Sequence, residues 1–387
     1  MNVFRSSLLR SLPFGSGIVA ALVATTGLLS PLATAPAAQA QTAGYCQLSA
    51  EAINQKQALL TAGLQGDRNA QNSYRALVHQ HADALNRCRN QTWPRQQAIW
   101  IRLYPCDVQP GALDALLDRL VARGYNEVYV EAFYNGQVLL PAAENRTPWV
   151  SVIRSQGYEN TDLLAAAIAK GHERGMRVYA WMFTLNFGYT YGQRPEAAPV
   201  LARNGHGQST LDVQNSNSDE VFVDPYSPQA KRDFYYLVEA IARRQPDGVL
   251  FDYIRYPRGS GAASVAGQVS DLWVYGQSAQ QALYQRALNS SGQELIRRFV
   301  SRGYITANDI QAIASLYPQD SEPQWQGRIA SAPIATTPPA QLQSALQAEL
   351  WSLSVAHAIQ GVLDFLNLAI QPVVQRNLAA GAVFFPE

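Results

Sequence analysis

Asp252 is the residue whose setting most suggests chemistry. It follows Val249, Leu250 and Phe251, a stretch apolar enough to require burial, so its carboxylate emerges at the rim of an apolar strand. Burial raises a carboxyl pKa, and the nearby Arg255 pulls it back down. A carboxylate held between those influences suits acid/base or nucleophilic work on a glycoside. The same spacing also suits a plain Asp–Arg pair that orders the loop before Pro257. Glu131, alternating with Val130 on another apolar run, is the candidate second acid; its alternative is an inward-facing salt bridge to Arg102. Asp224, in VFVDPY (221–226), precedes Pro225 and a long helical stretch, and reads first as the N-terminal cap of that helix.

Other chemistries find no foothold. His172 and His206 share no spacing with other ligands, no His-Glu-x-x-His pattern occurs, and three cysteines are too few and wrongly spaced for zinc. Neither a Gly-x-Ser-x-Gly elbow nor a phosphate loop is present. No metal or cofactor is therefore expected. The 30 Lys+Arg balance 29 Asp+Glu with no basic stripe, which argues against nucleic acid as a partner. With 19 Tyr, 7 Trp and only 15% charged residues, the chain suits a neutral polymer such as a glycan, whose apolar sugar faces stack on rings. For any single ring, a place in the core is the better reading.

Alternating strands and helices must position these side chains. From Ala98 the apolar, β-forming runs AIWIRLYP (98–105), NEVYVEAFY (126–134), MRVYAWMF (176–183) and DGVLFDYI (247–254) alternate with helical patterns over 111–123, 162–174 and 228–244. Gly124 and Gly175 stand where helices should stop. This rhythm predicts parallel β/α units in an α/β fold, a TIM-type barrel. Side chains at the C-terminal strand ends of such folds face one mouth. The first strand brings Arg102, Tyr104 and Asp107 there, and the second Glu131, Tyr134 and Asn135. The third brings Trp181, Thr184 and Asn186, and the fourth Asp252, Tyr253, Arg255 and Tyr256. Beyond Pro257, residues 270–316 read as mostly helical, 318–339 as linker, 341–370 as one long helix, and 381–387 as a fifth strand ending at Glu387. A strand with no covering helix after it leaves one side of a parallel sheet open, so either the sheet is complete at five strands or, the favoured reading, the pattern is the front of a longer barrel, incomplete at its C-terminus.

The N-terminus has the make-up of an export signal. Arg5 and Arg10 precede an apolar run from Gly17 to Leu29, and Ala38-Gln39-Ala40 offers a cleavage site after Ala40. The run is shorter than the ~20 residues that span a bilayer. No later segment is read as a membrane helix, so a secreted or periplasmic product without a stable span is expected. Residues 48–89 read as a helical hairpin turning near Gly63 and Gly66. In an oxidising compartment Cys46 and Cys88 could pair across it, leaving Cys106 over. The expected organisation is a leader over 1–40, a hairpin over 41–95 and a barrel domain over 96–387. The last carries a helical insertion and linker at about 258–350.

Four blocks resemble, in order, the glycosyl-hydrolase-like 10 family of extracellular barrel proteins. They are YNEVYVEAFYNGQVLLP (125–141), TDLLAAAIAKGHERGMRVYAWM (161–182), VDPYSPQAKRDFYYLVEAI (223–241) and, most specific, PDGVLFDYIRYP (246–257). The resemblance covers about 98–257. It implies a TIM-type barrel acting on a polysaccharide, peptidoglycan glycan or an extracellular polysaccharide. Asp252 would be the acid of the fourth strand, Tyr253, Arg255 and Tyr256 would line the site, and Trp181 would be a sugar platform. Tyr104, Tyr134 and Asn186 at the strand ends are further candidate substrate contacts, and Asp224 rises from cap to site rim. The chain departs from the family at Ala98-Ile99-Trp100, where Gly-Val-Trp is usual, and at Glu131, where an amide is common. The alternative to a hydrolase is a barrel that binds glycan without cleaving it, or a structural envelope protein.

Overall fold

Alternation of side chains along a strand assigns each sheet face its neighbours. In the second, third and fourth expected strands, one parity is Val128, Val130 and Ala132, then Val178, Ala180 and Met182, then Val249 and Phe251, all essentially inaccessible. The other parity carries Tyr129, Tyr179 and Trp181, which stay partly accessible. The first set packs under helices and the second lies on the opposite face. The computed structural model describes residues 46–213, 219–259, 261–330 and 337–384. The expected leader and Glu387 lie outside them.

The elements run α1 (Ala50–Leu64), α2 (Arg68–Gln91), β1 (Ala98–Ile101), α3 (Ala112–Ala122), β2 (Glu127–Tyr134), β3 (Gln137–Val138), β4 (Val150–Ser151), α4 (Leu163–Glu173), β5 (Arg177–Phe183) and α5 (Tyr189–Gly192). Then follow α6 (Pro228–Ala242), β6 (Gly248–Asp252), α7 (Gln277–Tyr284), α8 (Ser290–Arg302), α9 (Ala307–Leu316), α10 (Pro339–Ala369), α11 (Gln371–Val374) and β7 (Ala379–Ala382). Strands β1, β2, β5, β6 and β7 are parallel neighbours in that order. The short β3 runs antiparallel to the end of β2, and β4 extends it, making the sheet mixed. Among the described residues β1 and β7 do not pair, so the sheet is open rather than a closed barrel. On its uncovered face Trp100 stacks on Tyr129 and Tyr129 on Tyr179, with centroids 4.9 and 5.2 Å apart.

Several boundaries move for local reasons. The first strand stops at Ile101 because the chain turns into a short 3₁₀ segment at Pro105, a residue that favours helix starts. The last strand is Ala379–Ala382, earlier than 381–387, since its register is set by pairing with Gly248–Phe251. The reading that no later segment has the length and apolarity of a membrane helix is corrected by Pro339–Val374, which has both. Within it Leu342, Leu346, Leu350 and Phe365 are buried in the protein, while Ile359, Leu363 and Val374 are exposed.

Two polar networks fasten the periphery to this sheet. Behind α1 and α2, Asp118 of α3 accepts from Lys56 at 3.0 Å, Arg174 Nε at 2.9 Å and Tyr74 Oη at 2.8 Å, all buried. Burial pushes the Lys56 ammonium pKa down, and Asp118 opposes that fall. Cys46 and Cys88 form a disulfide that closes the base of α2, and Cys106 is a free, exposed thiol.

The second network centres on His357 of α10, fully buried and stacked on Tyr226. Its Nδ1 accepts from Arg286 Nε at 2.8 Å, so the proton sits on Nε2, which donates to the Ala279 carbonyl at 2.9 Å. Burial, with the Arg286 charge adding to it, pushes the imidazole down to about 4. A histidine whose folded pKa is depressed binds its proton more readily in the unfolded chain. Its contribution is complete above its unfolded pKa of about 6.5 and is lost as pH falls towards 4. His357→Gln should therefore gain stability relative to wild type as pH drops from 6.5 to 4, by about 3 kcal/mol at most. Urea midpoints of the two proteins at several pH values would measure this; a gap independent of pH would contradict it.

Candidate active site

The fourth strand of the parallel series, β6, delivers Asp252 as the alternation predicts. Val249 and Phe251 face the helices, with Phe251 against Phe234 of α6, and Asp252 falls on the other parity. Register pairs it with Phe183, the last residue of β5. Asp252 is 3% exposed, and its Oδ1 accepts from the Tyr253 backbone N–H at 2.6 Å. Burial pushes the carboxyl pKa up, while the Tyr253 N–H and the Arg255 charge oppose the rise. The Asp–Arg pair does not form. Arg255 instead lies over the Tyr253 ring at 4.8 Å and donates to the Tyr256 carbonyl at 3.2 Å. The result is a buried carboxyl without an ion-pair partner among the described residues.

Tyr253 turns the chain out of the strand with φ at +52°, a left-handed conformation uncommon for a bulky residue. Such strain costs on the order of 1–3 kcal/mol and persists only where neighbours enforce it. Here Phe183 holds the ring at 4.2 Å, and the Tyr253 carbonyl accepts from Leu185 N at 3.2 Å. Trp181 Nε1, Thr184 Oγ1 and Asn186 Nδ2, on or just after β5, are buried polar atoms without a hydrogen-bond partner among the described residues.

The expected second acid is placed differently. Glu131 sits on β2 beside Trp181 of β5, but the Arg102 guanidinium grips both of its oxygens, through Nε and, at 3.1 Å, through Nη2. Arg102 also covers the Tyr134 ring at 4.1 Å. Of the two readings open for Glu131, the salt bridge is the one observed. Tyr134 is buried beneath that pair, whereas Tyr104, at the edge of the sheet, is half exposed.

Two further candidates are structural in their contacts. Asp224 is fully buried, with Oδ1 accepting from Tyr226 N and Oδ2 from Ala279 N, both at 2.9 Å. The cap of α6 is Ser227, whose Oγ accepts from Ala230 N at 3.3 Å. Asp224 instead caps α7 across a 55-residue separation, and a Cβ on Gly276 would meet it at 2.4 Å. Both Asp224 oxygens are thus occupied by backbone N–H groups. Burial still pushes its carboxyl up to about 6. Asn186, also buried, accepts with Oδ1 from Gly188 N at 3.1 Å and Val221 N at 3.0 Å, so it pins a loop and exposes nothing to a ligand.

That loop carries an acid the strand-end logic missed. Burial, with the charge of the half-buried Glu220 adding to it, pushes the Tyr253 hydroxyl up to about 12. It escaped notice because it stands on no strand end and lies outside the four matching blocks. Asp252, Trp181, Phe183, Tyr253, Arg255 and Glu220 thus form one neighbourhood, with the Glu131–Arg102 pair beside it. Among the described residues no group of three or more His, Cys, Asp or Glu side chains is placed to hold a metal ion.

Comparison with known proteins agrees with the resemblance read from the four blocks. Glycosyl hydrolase DigH of Escherichia coli (strain K12) is 27% identical over 170 residues, covering 40% of this chain and 36% of the relative, so the match spans about a third of that protein's length. Among solved structures, a β-galactosidase from the psychrophilic Marinomonas ef1 aligns at TM-score 0.38 and 10% identity over 74% of this chain and 37% of its own. An α-L-fucosidase isoenzyme 2 from Paenibacillus thiaminolyticus aligns at 0.36 and 14% over 73% and 32%. The profile of the glycosyl hydrolase-like 10 family matches residues 91–296, more than half of the chain, and takes in both β6 and the Glu220 loop. The chain belongs to the glycosyl hydrolase-like 10 family.

Proposed function

We propose that this protein is an exported glycoside hydrolase that cleaves a cell-envelope or extracellular polysaccharide by carboxylate acid/base catalysis, with Asp252 as the proton donor. The observation that carries this reading is the buried carboxyl of Asp252, raised in pKa and free of any ion pair, at the C-terminal end of a parallel strand. A carboxylic acid that holds its proton more tightly than usual can protonate a glycosidic oxygen as the C–O bond breaks. Trp181, Phe183 and Tyr253 supply ring faces beside it, the surface an apolar sugar face prefers. Family membership and the two-carboxylate chemistry of glycosidases support the assignment.

Release of reducing ends from purified peptidoglycan and from extracellular polysaccharides by the full chain tests it. Hydrolysis by wild type that is absent in Asp252→Asn is the expected result; equal release by both removes the reading. Export follows from the N-terminal composition, and a mature protein beginning at Gln41 in the periplasm or medium is the expected mass-spectrometric result. One observation favours a second reading, a barrel that binds glycan without cleaving it: Arg102 neutralises Glu131, the acid first expected to be the partner. Retention of polysaccharide by wild type with no reducing ends released would choose it.

A further inference from the structure

We infer that Arg255 sets the specificity of this site by selecting a polysaccharide whose sugar units carry a carboxylate. The inference rests on the glycosidase reading and narrows the substrate of that same site to an acidic glycan.

Three arginines stand on or just beyond β1, β5 and β6, and two of them are neutralised by the sheet itself. Arg102 is held by Glu131 and Arg177 by Glu127, both glutamates of β2. Arg255 follows the end of β6 by three residues and meets no carboxylate within ion-pair reach among the described residues. Its position is nonetheless fixed. The guanidinium lies 4.8 Å from the centroid of the Tyr253 ring and 5.6 Å from that of Phe222, and Nη1 donates to the Tyr256 carbonyl at 3.2 Å. Ring faces stabilise a cation without neutralising it. The rest of the guanidinium fork has no partner among the described residues, and the residue is partly accessible to solvent.

A corner that needed only a brace would gain by pairing this charge with Asp252, at the end of the same strand. Keeping them unpaired leaves both the acid and the cation unspent. Ring contacts lead from Arg255 into the surface proposed for the sugar: Tyr253 lies 4.2 Å from Phe183, and Phe183 5.6 Å from Trp181. The Tyr253 N–H meanwhile holds Asp252 at 2.6 Å. A sugar resting on these rings with its glycosidic oxygen at Asp252 would turn a ring substituent towards Arg255. The planar fork matches a carboxylate with two parallel N–H···O bonds, which a hydroxyl cannot return. With 30 Lys+Arg against 29 Asp+Glu, the chain has no general attraction for polyanions, so a preference for acidic glycan must come from a local cation.

The test uses the full chain with polygalacturonate, alginate, hyaluronate and peptidoglycan glycan strands, each native and with its carboxyls reduced to primary alcohols. Retention and release of reducing ends are measured on every polymer. Wild type should hold at least one native polymer about tenfold or more tightly than its reduced form. Arg255→Gln and Arg255→Met, which keeps an apolar stem over the rings, should hold both forms as wild type holds the reduced one, with unchanged urea midpoints. Arg255→Lys, which keeps the charge and loses the fork, should retain part of the preference. Equal affinity of wild type for the two forms overturns the inference, as does a full wild-type preference in Arg255→Gln. Equal loss on both forms in the variants makes Arg255 a brace and overturns it too. Cleavage confined to the reduced polymers overturns the inference and leaves the glycosidase reading standing. Retention of acidic glycan through Arg255 without reducing ends removes the glycosidase reading alone, and a chain that neither holds nor cleaves any polymer removes both.

Discussion

Asp252→Asn should reduce kcat by on the order of 10⁴-fold on any polysaccharide the wild type cleaves, while leaving the protein at least as stable as before. The two effects have one cause. Burial disfavours the charged carboxylate and pushes its pKa up, so the folded protein bears a cost for keeping an acid at that position. Asparagine has the same shape, carries no charge and retains an oxygen to accept from the Tyr253 N–H. What it lacks is a proton it can give away at the moment the glycosidic bond breaks. Initial rates and urea midpoints, measured on the same preparations, separate loss of chemistry from loss of fold. A fall in activity that merely tracks a fall in midpoint would make Asp252 a structural residue.

The largest effect on stability is expected at Asp118, far from the candidate site. Its carboxylate serves Lys56, Arg174 and Tyr74 at once, where all three are buried. Asp118→Ala leaves Lys56 without its counter-ion, and Arg174 then depends on Asp114, 3.0 Å from Nη2. Breaking one side of a buried ion pair costs about 3–5 kcal/mol, since the remaining charge must be kept out of water uncompensated. Denaturant unfolding at neutral pH should register that loss. Adding Lys56→Met should recover part of it by removing the stranded cation. A change below about 1 kcal/mol would mean that water reaches these groups in the folded protein.

The consequence for architecture is that α1 and α2 are held by charge as well as by apolar packing. Lys56 lies on α1, Tyr74 on α2, Asp118 on α3, and Arg174 caps α4. One carboxylate therefore ties the two N-terminal helices to the first two helices that cover the sheet. Loss of Asp118 should be felt at the sheet's helical face before it is felt at Asp252, which lies on the opposite face. This ordering distinguishes the two predictions experimentally: one variant loses chemistry at constant stability, the other loses stability first.

Residue order alone determined the strand and helix alternation from Ala98 to Asp252, the burial of Val249 and Phe251, and the emergence of Asp252 after them. These are consequences of side-chain periodicity over a few neighbours, which strand geometry converts directly into faces. Tertiary structure decided the partners. Arg102 reaches Glu131 because β1 lies in parallel register beside β2, and Asp224 finds Ala279 only because α7 folds back across the end of β6. Phe222 comes beside Tyr253, ring centroids 6.2 Å apart, because Asn186 pins its loop, a contact between residues that no local pattern connects. Burial of a strand is written in its own residues, whereas the neutralisation of an acid depends on which distant chain segment packs beside it. That is why Asp252 could be singled out from its surroundings in the chain, while the pairing of Glu131 with Arg102 needed the fold.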